Sequence, residues 1–310
     1  MEVCSLTEPG AARAAAVERY RGLLFSVAYR LVGTAHDAED MVQESFSRWY
    51  QLDPDEQALI NSPRSWLVRV TSRVCLDHLK SARVRRESYV GDWLPEPLPD
   101  RLISTDFGAG AADRGDPLYD ITLDESVSIA LLVLMEELTP AARVTFILHD
   151  VFGFSFTDIA EVVGRSPAAC RQLAVSARRL VRPDARRRAV DVHDHSAVVR
   201  TFKRACASGD VHDLITALAP DVTARVDGGG NARAALRPLV GAEKVARFLV
   251  GVIAKQPACD LVERRVNGRT GIVMMSEGRA VGVYSFDITN RRIDNIWVVV
   301  NPDKLDVWNT

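Results

Sequence analysis

Proline stands at positions 95, 97 and 99 of the stretch YVGDWLPEPLPD, residues 89–100, between two blocks of helical pattern. Each ring fixes φ and removes a backbone donor, and each preceding residue (Leu94, Glu96, Leu98) is pushed out of the α region. Neither a helix nor a central strand can pass through such a segment. What remains is a stiff polyproline II rod, about 19 Å long over six residues. Trp93, Leu94 and Leu98 give it apolar teeth, so it is either a strap that docks on a neighbouring domain or a rigid spacer that touches nothing. The chain on each side of it has to be read separately.

Residues 11–88 read as three or four helices. Ala38, Val42, Phe46 and Trp49 recur at spacings of four and three and form one buried stripe, leaving Asp40, Gln43, Glu44 and Ser47 on the opposite face. That acidic face is either ordinary solvated polarity or a partner surface. Ser62 and Pro63 cap and open the next helix, whose inner face is Leu67, Val70 and Val74. Another of its faces carries Trp66, Arg69, Arg73 and Lys80, where Trp66 is either a stacking platform among phosphate contacts or a core residue.

Beyond an acidic connector, residues 126–137 and 141–153 read as apolar helices. They are followed by SFTDIAEVVGRSPAACRQLAVSARRLV, two helices joined by the turn VGRS. Gly164 supplies the left-handed residue of the turn, and Ser166 with Pro167 caps and opens the second helix. This is a helix-turn-helix pattern. Its recognition helix offers Ser166, Ala168, Ala169, Arg171 and Gln172 to base edges and Arg178 and Arg179 to phosphates. Pro183 is expected to end that helix, and residues 183–194 read as a basic connector. From 195 onward two amphipathic helices precede a series of strands punctuated by Asn267-Gly268 and Glu277-Gly278 hairpin turns. That order predicts an α+β domain with helices laid across one face of a curved antiparallel sheet.

The formal net charge of -2 conceals strong segregation. Residues 62–90 hold seven basic side chains against two acidic ones, and residues 165–188 hold eight arginines against Asp184. The segment 92–125 between them has nine acidic residues against Arg101 and Arg114. Two basic blocks flanking an acidic connector point to two contacts with a polyanion. The five cysteines (Cys4, Cys75, Cys170, Cys206, Cys259) form no C-x-x-C pair, and no histidine stands at metal-ligand spacing; free thiols and no metal or other cofactor are expected. There is no basic flank before an apolar leader, and the longest apolar run, IALLVLM, is too short to span a bilayer. A cytoplasmic protein with no membrane contact is expected.

With these residues in view, DAEDMVQESFSRW, SPRSWLVRVTSRVCLDHLK and LTPAARVTFILHDVFGFSFTDIAEVVGRSPAACRQLAVSARRL resemble regions two and four of an extracytoplasmic-function sigma factor. The resemblance implies core RNA polymerase and promoter DNA as partners, with the β′ clamp helices gripped by Asp40, Gln43 and Glu44 and the β flap met by region four. It also implies that the loop 52–62, including Asn61 and Ser62, and the basic residues Arg69, Arg73, Lys80, Arg83, Arg85 and Arg86 handle the melted minus-10 element. The helix-turn-helix would then read minus-35. Arg73 stands where asparagine is usual and Ser176 where arginine is common.

WLPEP in the connector, DGGG at Asp227, Gly228, Gly229 and Gly230, and NPDKL at Asn301, Pro302, Asp303, Lys304 and Leu305 further resemble the SigJ-type subgroup with a SnoaL-like C-terminal extension. Asn231 takes the place of the lysine that usually ends the glycine motif. The implied architecture is multidomain: an all-α region two at 11–88, a linker at 89–125, a region-four domain at 126–182, a linker at 183–194 and a cone-shaped α+β domain at 195–310. In that subgroup the extension is thought to regulate the sigma domains in cis, which makes Trp93, Leu94, Pro95, Glu96 and Pro97 and the two C-terminal motifs interdomain residues. Not an enzyme is the expectation. The alternatives are a DNA-binding regulator whose C-terminal domain binds a small-molecule ligand, or a cyclase-like or isomerase-like domain with Asp227 as its base.

Overall fold

The computed structural model describes residues 17–86, 89–103, 127–185, 192–256 and 258–309. The first helical unit comprises α1 (Arg21–Val32), α2 (Ala35–Tyr50), α3 (Pro54–Leu59) and α4 (Pro63–Arg86). Ala38, Val42, Phe46 and Trp49 are all buried, as their spacing predicts. Trp66 meets Trp49 edge to face at 5.2 Å between ring centroids, which makes it part of the packing. The stretch 52–62 is not a plain loop, because α3 lies inside it, started by a reciprocal capping box between Asp53 and Glu56.

The second unit begins with α5 (Ile129–Met135), capped by Ser128 and shorter at both ends than expected. Helix α6 (Pro140–Phe146) runs into a π-helical turn at Ile147–Val151. Helices α7 (Phe156–Val163) and α8 (Pro167–Ala185) form the helix-turn-helix. Pro183 does not end α8 but sits in its last turn, where a proline forfeits one hydrogen bond and no further turn depends on it.

The third unit opens with α9 (Val192–Ser208), starting inside the stretch read as connector, and α10 (Val211–Ala217), capped by Asp210. Then follow β1 (Leu218–Asp227), β2 (Leu239–Val240), α11 (Ala242–Ile253), β3 (Cys259–Val266), β4 (Arg269–Ser276), β5 (Arg279–Thr289) and β6 (Arg292–Val299). The sheet order is β2-β1-β6-β5-β4-β3. The expected antiparallel sheet is in fact mixed, since β1 pairs parallel with β6. Strand β1 escaped the sequence pattern because Pro220 and Asp221 interrupt it, and its register slips between Leu218 and Thr223.

Both faces of this sheet are covered. Ile272, Met274, Tyr284, Phe286, Ile296 and Val298 pack with Val199, Phe202, Leu214, Val245 and Leu249 of α9, α10 and α11. The alternate residues Val273, Val283, Trp297 and Val299 belong to a second cluster that runs through Leu94 and Leu98 into the cores of both helical units. The period of two along the strands therefore sends one set of side chains into the domain's own core and the other into its neighbours.

Candidate functional site

The proline rod is the place where all three units meet. Asp227, fully buried at the end of β1, accepts four hydrogen bonds. Tyr89 Oη (2.6 Å) and Gly229 N (3.0 Å) donate to Oδ1, and Leu94 N (2.9 Å) and Lys304 Nζ (2.7 Å) donate to Oδ2. The Lys304 ammonium also donates to the Leu94 carbonyl and lies 4.3 Å from the centroid of the Trp93 ring. Burial and the adjacent Asp227 charge push the Tyr89 phenol well above its ordinary range. Asn301 donates from Nδ2 to Tyr89 Oη at 3.0 Å and caps the 3-10 turn Pro302–Lys304 by accepting from Asp303 N at 3.2 Å.

Glycine is required at 229, where φ is +61° and an added Cβ would lie 2.4 Å from Asn301 Nδ2. Gly228 gives way to the Ala232 carbonyl and Gly230 lies beside Val90. Asn231, in the lysine position, donates to Asp303 Oδ2 at 3.3 Å and joins the two motifs through a neutral contact.

Farther along, the rod is seated on the first helical unit. Glu96 N donates to the Gly33 carbonyl (2.8 Å), its own carbonyl accepts from Tyr29 Oη (2.6 Å), and its carboxylate accepts from Ala35 N (2.6 Å) at the start of α2. A carboxylate at a helix N-terminus meets unpaired N–H groups and the positive end of the dipole. Burial nevertheless dominates and pushes the Glu96 carboxyl up to about 7, with the Ala35 N–H and Lys304 opposing it. The Trp93 ring covers Gly33, where any Cβ would approach it to 2.9 Å and φ is +84°. Trp308 Nε1 donates to the Pro97 carbonyl at 2.7 Å.

The sequence pattern marks one residue of this assembly only as a turn. Asn267, buried at the β3–β4 hairpin with φ +50°, accepts from Leu98 N (2.8 Å) and donates both to Tyr29 Oη (2.7 Å) and to the Val127 carbonyl (2.9 Å). Its backbone N–H donates to the Leu98 carbonyl at 2.9 Å. A single amide thus touches the rod, the first helical unit and the start of the second. The two helical units also meet directly. The buried Arg143 guanidinium donates to the Leu31 carbonyl (2.7 Å) at the C-terminal end of α1 and pairs with Glu136 at 2.6 Å, and desolvation lowers its pKa to about 9.

The remaining candidate residues divide by exposure. Asp40, Gln43 and Glu44 share one exposed face of α2, with Glu44 held by Arg48 at 2.8 Å. Asn61 and Ser62 are exposed ahead of α4, and Lys80 pairs with Asp77 at 2.9 Å on its surface. Arg69 reaches Glu161 (3.2 Å) and Asp158 (3.8 Å) of α7, and Arg73 donates to the Glu161 carbonyl at 3.2 Å. The side chains of Arg83, Arg85 and Arg86 lie outside the described residues. On α8, Ser166, Ala168, Arg171, Gln172 and Arg179 are exposed and Ala169 is half-buried. Arg178 is instead turned inward to a 2.6 Å ion pair with the buried carboxylate of Asp150.

Comparison with known proteins bears on this arrangement. Residues 16–85 match Sigma-70 region 2 and residues 128–181 match Sigma-70, region 4. Over 300 residues, 93% of this chain and 91% of the relative, the sequence is 38% identical to the ECF RNA polymerase sigma factor SigJ of Mycobacterium tuberculosis. The chain belongs to the ECF sigma factor family. It is also 36% identical to the probable ECF RNA polymerase sigma factor SigI of Mycobacterium tuberculosis, with 94% of both chains aligned. The crystal structure of the Mycobacterium tuberculosis extracytoplasmic function sigma factor SigJ matches it with a TM-score of 0.70 at 35% identity, covering 94% of this chain and 98% of the other. Within this ECF sigma factor, α1 to α4 fall in the region-two match, α5 to α8 in the region-four match, and the α+β unit follows.

Proposed function

We propose that this chain is a promoter-specificity subunit of cytoplasmic RNA polymerase whose own C-terminal domain sets the placement of its two DNA-reading domains. The observation that carries the reading is the clasp in which Asp227 and Lys304 hold both backbone groups of Leu94, on a rod seated in turn on region two. Asp40, Gln43 and Glu44, exposed on α2, are the surface for the β′ clamp helices. Asn61, Ser62 and the basic face of α4 take the minus-10 strand, and Ser166, Ala168, Ala169, Arg171, Gln172 and Arg179 take minus-35. In the placement observed, α7 covers Arg69 and Arg73, so melted DNA must displace it. The clasp and Asn267 are then the means by which the C-terminal domain favours one placement over another.

A catalytic role for Asp227 has no support in this geometry. Each of its oxygens already accepts two hydrogen bonds, and one of the four comes from a buried ammonium, so it has no lone pair directed at a substrate proton.

In vitro transcription with core polymerase tests the proposal. The expected result is a promoter-specific transcript whose yield differs among the full chain, its Lys304→Ala variant and a form ending before Ser196. Absence of any promoter-specific transcript from all three forms would remove the sigma reading. Equal yields from all three would remove the regulatory role of the clasp.

A further inference from the structure

We infer that the C-terminal domain is a receptor for a small amphipathic anion with an aromatic or branched apolar body, and that this ligand stabilises the clasped state. A cavity of about 430 Å³ lies between α11 and the sheet, a size that suits a small organic ligand. Phe248, Val252, Met274 and Val298 line an apolar interior. Tyr284, 3% exposed, also lines it, and among the described residues its hydroxyl reaches only the Met274 sulfur, at 3.9 Å. A buried phenol with so weak a partner has a hydrogen bond to give to an acceptor placed in the cavity. Burial holds that phenol protonated, well above its ordinary range, so it stays a donor at neutral pH.

The lining also contains Arg233 and Arg279, both exposed, with Asp306 as the acidic lining residue. Neither arginine has an ion-pair partner among the described residues, and the balance of one positive charge fits a monoanion.

The link to the clasp lies in one short turn. Asn301 and Lys304 face the rod, while Pro302 and Leu305, alternating with them, line the cavity. A ligand would therefore pack against the back of the turn whose front holds Leu94 and Asp227. The cavity exists in the clasped arrangement, so a molecule fitting it binds that arrangement preferentially, and by linkage the clasp must tighten the ligand. The binding site stands independently of the sigma reading; its effect on transcription rests on that reading.

The probe is 8-anilinonaphthalene-1-sulfonate, an aromatic body with one anionic group, titrated by fluorescence into the full chain. The expected result is saturable binding at one site. It should weaken about tenfold in the Arg233→Ala, Arg279→Ala double variant and be blocked by Val252→Trp. Tyr284→Phe, which preserves volume, should weaken it by a smaller factor and guards against misfolding of the tryptophan variant. Trp93→Ala, outside the cavity, should weaken it at least about fivefold. Binding that ignores the cavity and arginine variants overturns the site. Site-specific binding that ignores Trp93→Ala overturns the coupling. Promoter-specific transcription without the probe is measured separately, so either failure leaves the sigma reading to its own test.

Discussion

Two ion pairs stand where the units of the molecule meet, one within the C-terminal unit against the rod and one between the two helical units, and they differ in almost every physical respect. Asp227 and Lys304 meet at 2.7 Å with side chains 0% and 8% exposed, and their remaining hydrogen-bonding positions are taken up by the rod and the glycine turn. Arg69 and Glu161 meet at 3.2 Å with side chains 33% and 64% exposed, in reach of water and salt. A buried pair gains little on balance over an apolar one, but losing one partner strands a charge. An exposed pair contributes at most about 1 kcal/mol and is screened by salt. The first contact therefore fixes placement, while the second can be exchanged for a phosphate at little cost.

The contrast is open to attack at four points, taken from the largest expected effect. Lys304→Ala leaves the Asp227 charge uncompensated and should cost about 3–5 kcal/mol in denaturant unfolding. Adding Asp227→Asn to Lys304→Met should recover much of that loss, because both charges then leave together. If the single and double variants unfold alike, the pair is not what holds the rod. Asn267→Ala should cost about 1–3 kcal/mol, since it strands Leu98 N and the Val127 carbonyl. Asn267→Gly, which suits the positive φ but also lacks the amide, should recover only the smaller backbone share of that loss.

The third point is pH. Burial raises the Glu96 carboxyl from the ordinary carboxylate range to about 7 in the folded chain, so between roughly pH 4.5 and 7 the folded state holds a proton that the unfolded state has released. Its contribution to stability is fully present below that window and is lost as pH rises through about 7. Thermal unfolding from pH 5 to 8 should show this slope in the wild-type chain, and Glu96→Gln should flatten it. An unchanged slope would place the titration elsewhere. The smallest effect is Glu161→Gln, which should alter stability by less than about 1 kcal/mol. It should nonetheless strengthen binding of a single-stranded minus-10 oligonucleotide, measured by anisotropy, with the gain shrinking as salt increases.

Much of this was legible in the sequence because local chemistry governs it. The buried stripe of α2, the capped start of α4, the helix-turn-helix and the hairpin at Asn267-Gly268 all follow from spacing, caps and turn residues. The three separated motifs around Trp93, Asp227 and Lys304 do converge in space. What spacing could not convey is partnership. Asn267 satisfies a turn rule and gives no sign of the two further units its amide joins. Arg178 has the periodicity of a phosphate contact, yet Asp150 from the π-helical turn claims it. The parallel pairing of β1 with β6 depends on how the chain closes around α11, which no local pattern encodes.

The clasp also has a consequence for how the protein is made. Leu94 and Lys304 are 210 residues apart in the chain, so a ribosome working at roughly 5–20 residues per second needs about 10–40 s to pass from one to the other. Throughout that interval the rod can rest on region two through Glu96, but the Lys304 side of the clasp is missing. The lysine half of the clasp is therefore tied to the arrival of the NPDKL turn, and a chain interrupted before it carries the DNA-reading domains without that half of the restraint.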